Sequence, residues 1–517
     1  MAKKFRSKTI SIGLSALMAT TVAIGSISAT PITSENGLSV RSQSLSEQQA
    51  FARQQLIATV KLYDEHMRVP ETGQYLDRID THELDQTAVR SSIASTGVGL
   101  ISLAVGDQMG VVDDAANKAI LTLSSLLRKD PGSNFDTPRS RSGWFKHFID
   151  AYTGEGLGGS KHVFSTIDTA ILGVGASMVA SYFKTVDTPE ARKAVELAEE
   201  LVNTVNWSQA VRFGDRPGVH QIFHGPEEGI ENRWWSVLFD EYVILPCLGR
   251  AQEAASGQYG RASRFWDDHV GTGGNLPQAS FGDLSVLAVG GKRVPSHFTH
   301  QFAFYFCGDL AADPTYQSEL NELLKADREW FTATGGDQHP DRWWGLGAGS
   351  EIKFDKQTGE VKYSAYGVAR IGKNPNGTFS PAIQAGFLPV ERVAAPTSEA
   401  GVTQISTRSS GGVDRAPQET SSIIGDLMTL YENNECRYHF AGLDFLWRCS
   451  TRDPSLRVRH IEGVDLSTYL LGLAWFDPSV GPQFFDDHAV KARPSWPEAR
   501  EYRASVSPRT GVIVRER

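Results

Sequence analysis

The sequence predicts an all-α protein built as one large helical domain. Three observations carry this: a succession of segments with apolar residues at helical spacing, a scarcity of strand signals, and no detectable short repeat. At 517 residues, 40% hydrophobic and 21% charged, the composition is that of an ordinary globular chain.

At the N-terminus Lys3, Lys4, Arg6 and Lys8 precede an uncharged stretch from Thr9 to Ala29, with small residues near Ser28 and Ala29. This pattern reads as a secretory signal peptide over residues 1–29, which directs the chain to the periplasm or the medium. Removing its four positive charges takes the formal charge from −9 to −13. An acidic exported protein has no evident reason to bind nucleic acid or an anionic membrane surface, and a neutral ligand fits better. No later segment reads as a membrane span, so none is expected once the signal is removed.

A polar linker is expected at 30–48, the helical domain at 49–490 and a C-terminal tail at 491–517. FARQQLIATVKLYDEHM, SSIASTGVGLISLAVGDQMG, DDAANKAILTLSSLLRKD and STIDTAILGVGASMVASYFKT follow one another with helical periodicity. PEARKAVELAEELVNTVN opens with Pro189 in its first turn, a good helix start. ENRWWSVLFDEYVILPCLGRAQEA, HFTHQFAFYFCGDL, YQSELNELLKADREWFTAT, SSIIGDLMTLYENN and DLSTYLLGLAWF continue the series, and EVKYSAYG is the best strand candidate. The connecting loops, among them RSGWFKHFIDAYTGEG, GDQHPDRWWGLGAGSE and GKNPNGTFSP, are long and rich in aromatics, where binding residues gather. The polar stretch 394–420 is assigned no structure.

The four cysteines form no CxxC pair and no zinc pattern. Cys247 and Cys307 lie in apolar runs and read as core residues. Cys436 and Cys449 flank RYHFAGLDFLWR, where an oxidising compartment permits a disulfide.

The chain has no GxSxG, HExxH or GxxxxGK[ST] motif, and GTGGNLP reads as a turn. What remains is acids and aromatics. Asp240 and Glu241 interrupt the apolar run SVLFDEYVILPCL. On one helix they point about 100° apart, so one can be solvated at a groove while the other faces in. A partly desolvated carboxyl holds a proton near neutral pH, as a general acid must. The plainer reading pairs such an acid with a neighbour such as Arg233. Asp168 in FSTIDTAIL also reads as a mid-helix acid among apolar residues, hydrogen-bonded or functional. Asp444 in AGLDFLW and Asp465 in EGVDLSTY follow glycine turns, where capping is the plain role. Several acids beside aromatic loops match the two-carboxylate scheme of glycoside hydrolysis. Trp144, Trp234, Trp235, Trp343 and Trp344 offer flat faces to sugar rings, or else belong to the core. His147, His297 and His300 are dispersed, so no metal site is expected, and no cofactor is implied.

The ordered set RSSIASTGVGLISLAVGD, GWFKHFIDAYTGEG with FSTIDTAILGVGA, ENRWWSVLFDEYVILPCLG, FTHQFAFYF, WWGLGAGS, YSAYGVAR with NGTFSP, AGLDFLW and GVDLSTYLLGLAWF resembles the bacterial glycoamylase-like family, which includes the endo-β-1,2-glucanases. The likeness extends from about Glu71 to His488. It implies an (α/α) toroid, a six-hairpin barrel with long aromatic-rich loops, and hydrolysis of β-linked glucan with inversion. By position Glu241 matches the family's general acid and Asp168 the aspartate of its S-T-x-D-T-A motif, with Asp444 and Asp465 as alternatives for the base. The five tryptophans, His147, His300 and Tyr366 are the expected substrate-binding residues. WWGLGAGS departs from the usual W-G-L-T-A-S, and Pro246 and Cys247 stand where relatives carry Ala-Leu-Gly-Ser; both departures bear on specificity more than fold. Competing readings on the same scaffold are a transglycosylase, an exo-acting enzyme on another β-glucan, a non-catalytic glucan-binding protein and a polysaccharide lyase. An acidic chain disfavours the last, because uronate substrates call for a basic cleft.

Overall fold

The computed structural model describes residues 43–82, 89–130, 134–158, 163–212, 217–224, 234–235, 239–271, 276–289, 291–335, 340–355, 357–391 and 421–492. The signal segment, most of the linker and tail, the stretch 394–420, Arg233 and the side chains of Trp234 and Trp235 lie outside it.

The helices are α1 (Leu45–Lys61), α2 (Ile93–Gln108), α3 (Ala115–Leu126), α4 (Thr166–Phe183), α5 (Pro189–Asn203), α6 (Ile244–Ala255), α7 (Arg261–Phe265), α8 (Phe298–Phe306), α9 (Gly308–Ala311), α10 (Pro314–Gly335), α11 (Pro381–Gly386), α12 (Leu388–Glu391), α13 (Ser422–Glu432), α14 (Gly463–Phe476) and α15 (Gly481–His488). α2 packs on α4, α4 on α6, α6 on α8, α8 on α11, α11 on α14, and α14 returns to α2, so six helices close a ring. Outside it α3 packs against α2 and α5, α5 against α4, α7 against α6, and α13 against α1 and α11. This is the (α/α) toroid.

Residue type decides which helix is inside. α2 and α4 are buried on nearly every side, from Ile93 to Gly106 and from Thr166 to Ala176. A helix without a polar stripe cannot face water, and these two form the inner wall. α5, by contrast, buries Ala191, Ala194, Leu197, Ala198 and Leu201 at spacings of three and four and leaves most of the rest exposed, as an outer helix must. α2 and α4 cross where Gly97 meets Gly175; a Cβ on Gly97 would lie 2.5 Å from the carbonyl of Ile171. Against the expectation that no segment past the signal resembles a membrane span, α4 is long and apolar enough to cross a bilayer, yet 89% of that stretch is buried inside this fold.

The structure departs from a purely helical picture in its connectors. The strand at Val361–Val368 pairs antiparallel with Ala348–Phe354, as EVKYSAYG suggests. Further strands of two to four residues were not legible. Arg90–Ser92 pairs with Phe148–Asp150, Val163–Ser165 lies between Phe145–Lys146 and Ile222–His224, and Arg78–Asp80 pairs with His460–Glu462. Three of these run straight into inner helices: Ser92, Ser165 and Glu462 are extended residues that cap α2, α4 and α14.

Both cysteine pairs are bridged. Cys436–Cys449 closes the loop in which the sequence permits, without requiring, a bridge. Cys247 and Cys307 are buried as expected, but instead of being separate core residues they join α6 to the end of α8 across 60 positions, with Cα atoms 6.3 Å apart.

Candidate active site

Three acids stand at the N-terminal starts of inner helices, at one rim of the ring. Asp168 is the third residue of α4, not a mid-helix residue as the apolar run suggested. Ser165 caps the helix by accepting from the Asp168 backbone N–H (3.3 Å), and its hydroxyl donates to Asp168 Oδ2. Asp168 Oδ1 lies 3.5 Å from Nε2 of His147, whose half-exposed ring stacks on Phe148. Glu241 is likewise not mid-helix. It opens the 3₁₀ turn Glu241–Val243 that leads into α6, and Asp240 caps that turn by accepting from the Glu241 N–H at 2.7 Å. Asp465 is the third residue of α14, and the Tyr366 hydroxyl donates to its Oδ1 at 3.4 Å. The positive end of a helix is the least costly place to enclose a carboxylate, which is why an apolar helix can begin on one.

Two more acids complete the cluster, and sequence reasoning missed both. Asp77 accepts the first N–H of α14, from Gly463, on its carbonyl at 2.9 Å. Its carboxyl is pushed up by burial and by Asp168, against His147, Arg78 and Arg90. Glu462, immediately before α14, is buried and accepts from the Ser350 hydroxyl at 2.5 Å; its other oxygen has no hydrogen-bond partner among the described residues. Arg448, fully buried, donates to the carbonyls of Ser350 and Ala348. Gly349, at φ +128°, lets these groups approach: a Cβ there would meet Arg448 Cδ at 2.8 Å and Glu462 Oε2 at 3.0 Å.

The electrostatics follow from crowding. Burial, then the charges of Asp240, Asp168 and Asp465, push the Glu241 carboxyl up to about 8. Burial pushes Asp465 up to about 7, held back by Arg448 and the Tyr366 hydroxyl and raised further by Asp77. Burial and the Asp465 charge push Glu462 up to about 8, against the Ser350 hydroxyl and Arg448. Protons therefore stay on this rim at neutral pH, which suits acid and base chemistry. No group of three or more metal-ligating side chains able to hold an ion occurs among the described residues.

Other expected residues lie elsewhere. Asp444 sits on the hairpin formed by Arg437–Phe440 and Leu443–Leu446, paired at 3.3 Å with both Arg437 and His439, and is not among the charges acting on Glu241. Trp144 and Trp344 present no face to a ligand: both are fully buried, with indole N–H groups donated to Gln209 (3.0 Å) and Asp426 (3.4 Å). His300 is buried beside Phe239 with Nε2 at 3.1 Å from the Leu287 carbonyl, and burial pushes it down to about 3. Its ring thus packs against the residue that precedes Asp240. Trp343 is half-buried and donates to Glu435 at 2.8 Å. Tyr366 is half exposed and bonded to a cluster acid, as the half-exposed His147 lies against another. Trp234 and Trp235 are described as backbone only, a short strand pairing with Gly218–His220.

No protein-family model matches the sequence, and no curated protein sequence matches it. Solved structures do. An endo-β-1,2-glucanase from Chitinophaga pinensis, in complex with sophorotriose and glucose, is 14% identical with a TM-score of 0.60, covering 89% of this chain and 97% of its own. A protein from Bacteroides uniformis provisionally assigned as a glucoamylase is 14% identical with a TM-score of 0.61, over 86% and 95%. An endo-β-1,2-glucanase mutant from Talaromyces funiculosus, bound to β-1,2-glucan, is 11% identical with a TM-score of 0.57, over 84% and 86%. At these identities the likeness establishes a shared fold, that of the glucoamylase-like and endo-β-1,2-glucanase structures.

Proposed function

We propose that the protein is an exported glycoside hydrolase that cleaves β-linked glucan, β-1,2-glucan foremost, by an inverting acid/base mechanism. The observation that carries this reading is the carboxyl of Glu241, pushed up to about 8 at a rim shared with Asp168 and Asp465. Glu241 keeps its proton near neutrality and gives it to the departing glycosidic oxygen. Asp465, pushed up to about 7 and accepting from Tyr366, takes a proton from the attacking water on the opposite ring face once it is ionised. Acid protonated and base ionised coexist best between about 7 and 8. Asp168, held by Ser165 and facing His147, positions sugar hydroxyls beside the acid. Export is supported by the charged and then apolar N-terminus and by two disulfides, which persist in oxidising compartments.

The test is release of new reducing ends from linear β-1,2-glucan by the mature protein, beside Glu241→Gln. Short oligosaccharides from the wild type and about 10³-fold less from the variant are expected. Equal cutting by both makes Glu241 structural. Activity only on a β-1,3-, β-1,4- or β-1,6-glucan moves the linkage, and elongated or cyclic products convert hydrolysis to transglycosylation.

A further inference from the structure

We propose that the rim beside Asp465 continues outward as an aromatic subsite, made of Tyr363 with His82, that holds the glucan chain beyond the sugars being cleaved. This inference rests on the glucan reading above.

The hairpin Ala348–Phe354 with Val361–Val368 carries a register shift: Gly349 pairs with Gly367, and Glu351 with Ser364, so Ser350 alone opposes two residues, Ala365 and Tyr366. Tyr363 and Tyr366 are three residues apart and would face opposite sides of a regular strand. The extra residue brings them to the same side. Tyr366 turns its hydroxyl to Asp465 and leaves its ring half exposed. Tyr363 is 43% exposed, and its ring meets His82 edge to face, centroids 5.0 Å apart at 87°.

His82 is fixed in turn. Its N–H donates to Asp80 Oδ1 at 2.9 Å, and Asp80 pairs with Arg459 at 2.6 Å. Asp80 belongs to the strand Arg78–Asp80, whose partner His460–Glu462 leads into α14 and Asp465. Arg78 pairs with Glu462, and His82 lies two residues past the far end of that strand, Asp80. A sugar over Tyr363 would therefore lie outward of one at Asp465. A pyranose has an apolar C–H face and a hydroxylated edge. An open tyrosine face with the His82 imidazole at its edge satisfies both, whereas a protein partner would call for a broader apolar patch.

The test measures binding of linear β-1,2-oligosaccharides of graded length to the Glu241→Gln protein, with and without Tyr363→Ala. The expected result is about fivefold weaker binding of long chains, a smaller change for the trisaccharide, and recovery with Tyr363→Phe, which keeps the ring. Should Tyr363→Ala fail to fold, His82→Ala carries the same comparison. Identical affinities at every length overturn the subsite while glucan binding itself leaves the functional reading standing. A protein that neither binds nor cuts any glucan overturns both.

Discussion

α4 and α14 are built alike and begin differently. Each is an inner helix buried along most of its length, each follows an extended capping residue, and each carries an aspartate at its third position. At α4 both oxygens of Asp168 are engaged, one by the Ser165 hydroxyl and the other by His147. At α14 Asp465 has one long contact from Tyr366, an acid in place of the capping serine, and Asp77 close by. The same helical position thus yields a tethered carboxyl in one case and a crowded one, pushed up to about 7, in the other. Position on a helix places a charge, and its neighbours decide when it carries a proton.

Replacing each aspartate by asparagine separates the two. Asp465→Asn removes a base that works only when ionised, so its deficit against wild type should exceed about 100-fold at pH 8 and shrink at pH 5.5, where the wild type has itself lost the base. Asp168→Asn should lower activity at both pH values, through loss of the His147 partner. Rates of reducing-end release at the two pH values decide, and a deficit of Asp465→Asn that does not change with pH breaks the comparison. A smaller effect is expected of Tyr366→Phe. The hydroxyl holds the Asp465 carboxyl down, so its removal should move the acid limb of kcat/KM upward by roughly half a unit, with less than about tenfold loss at the optimum. An unmoved limb means that the 3.4 Å contact does not tune the base.

Much of this was legible in the chain. The helical periods of α1 to α5 are plain in the sequence, and the family likeness singled out Asp168 and Glu241 but left Asp444 and Asp465 as alternatives for the base. Their local setting was less so, because apolar residues on both sides of Asp168 and Glu241 suggest helix interiors. Ser165 preceding Asp168 by three is a capping signature that places the acid in the first turn, and it is visible in FSTIDTAIL. Asp77 and Glu462 were not legible, since the strand pair that joins them lies across nearly 400 residues of chain. Trp144 and Trp344 misled because aromatic loops look like binding surfaces, whereas short strands fold Trp144 inward against Trp207 and Phe223. Cys247 and Cys307 gave no sign of pairing, since only the neighbouring positions of α6 and α8 bring them together.

The smallest effect expected is thermal, and it concerns the capping residues themselves. Glu241, Glu462 and Asp465 all hold protons more tightly folded than unfolded, to about 8, 8 and 7. Between roughly pH 4, where unfolded carboxyls ionise, and about 8 the folded state binds more protons, so stability falls as pH rises through that window. Glu462→Gln keeps the acceptor for Ser350 and deletes one of these ionisations. Its melting temperature should match wild type near pH 5, exceed it by about 3 °C at pH 8.5, and flatten the decline between. Ser165→Ala, at the equivalent position of α4, should instead lose about 1 kcal/mol at every pH, because what it removes is a cap. Parallel melting curves for the two variants across pH would mean that the start of α14 is as well satisfied as that of α4, and that the proton held beside Asp465 has another origin.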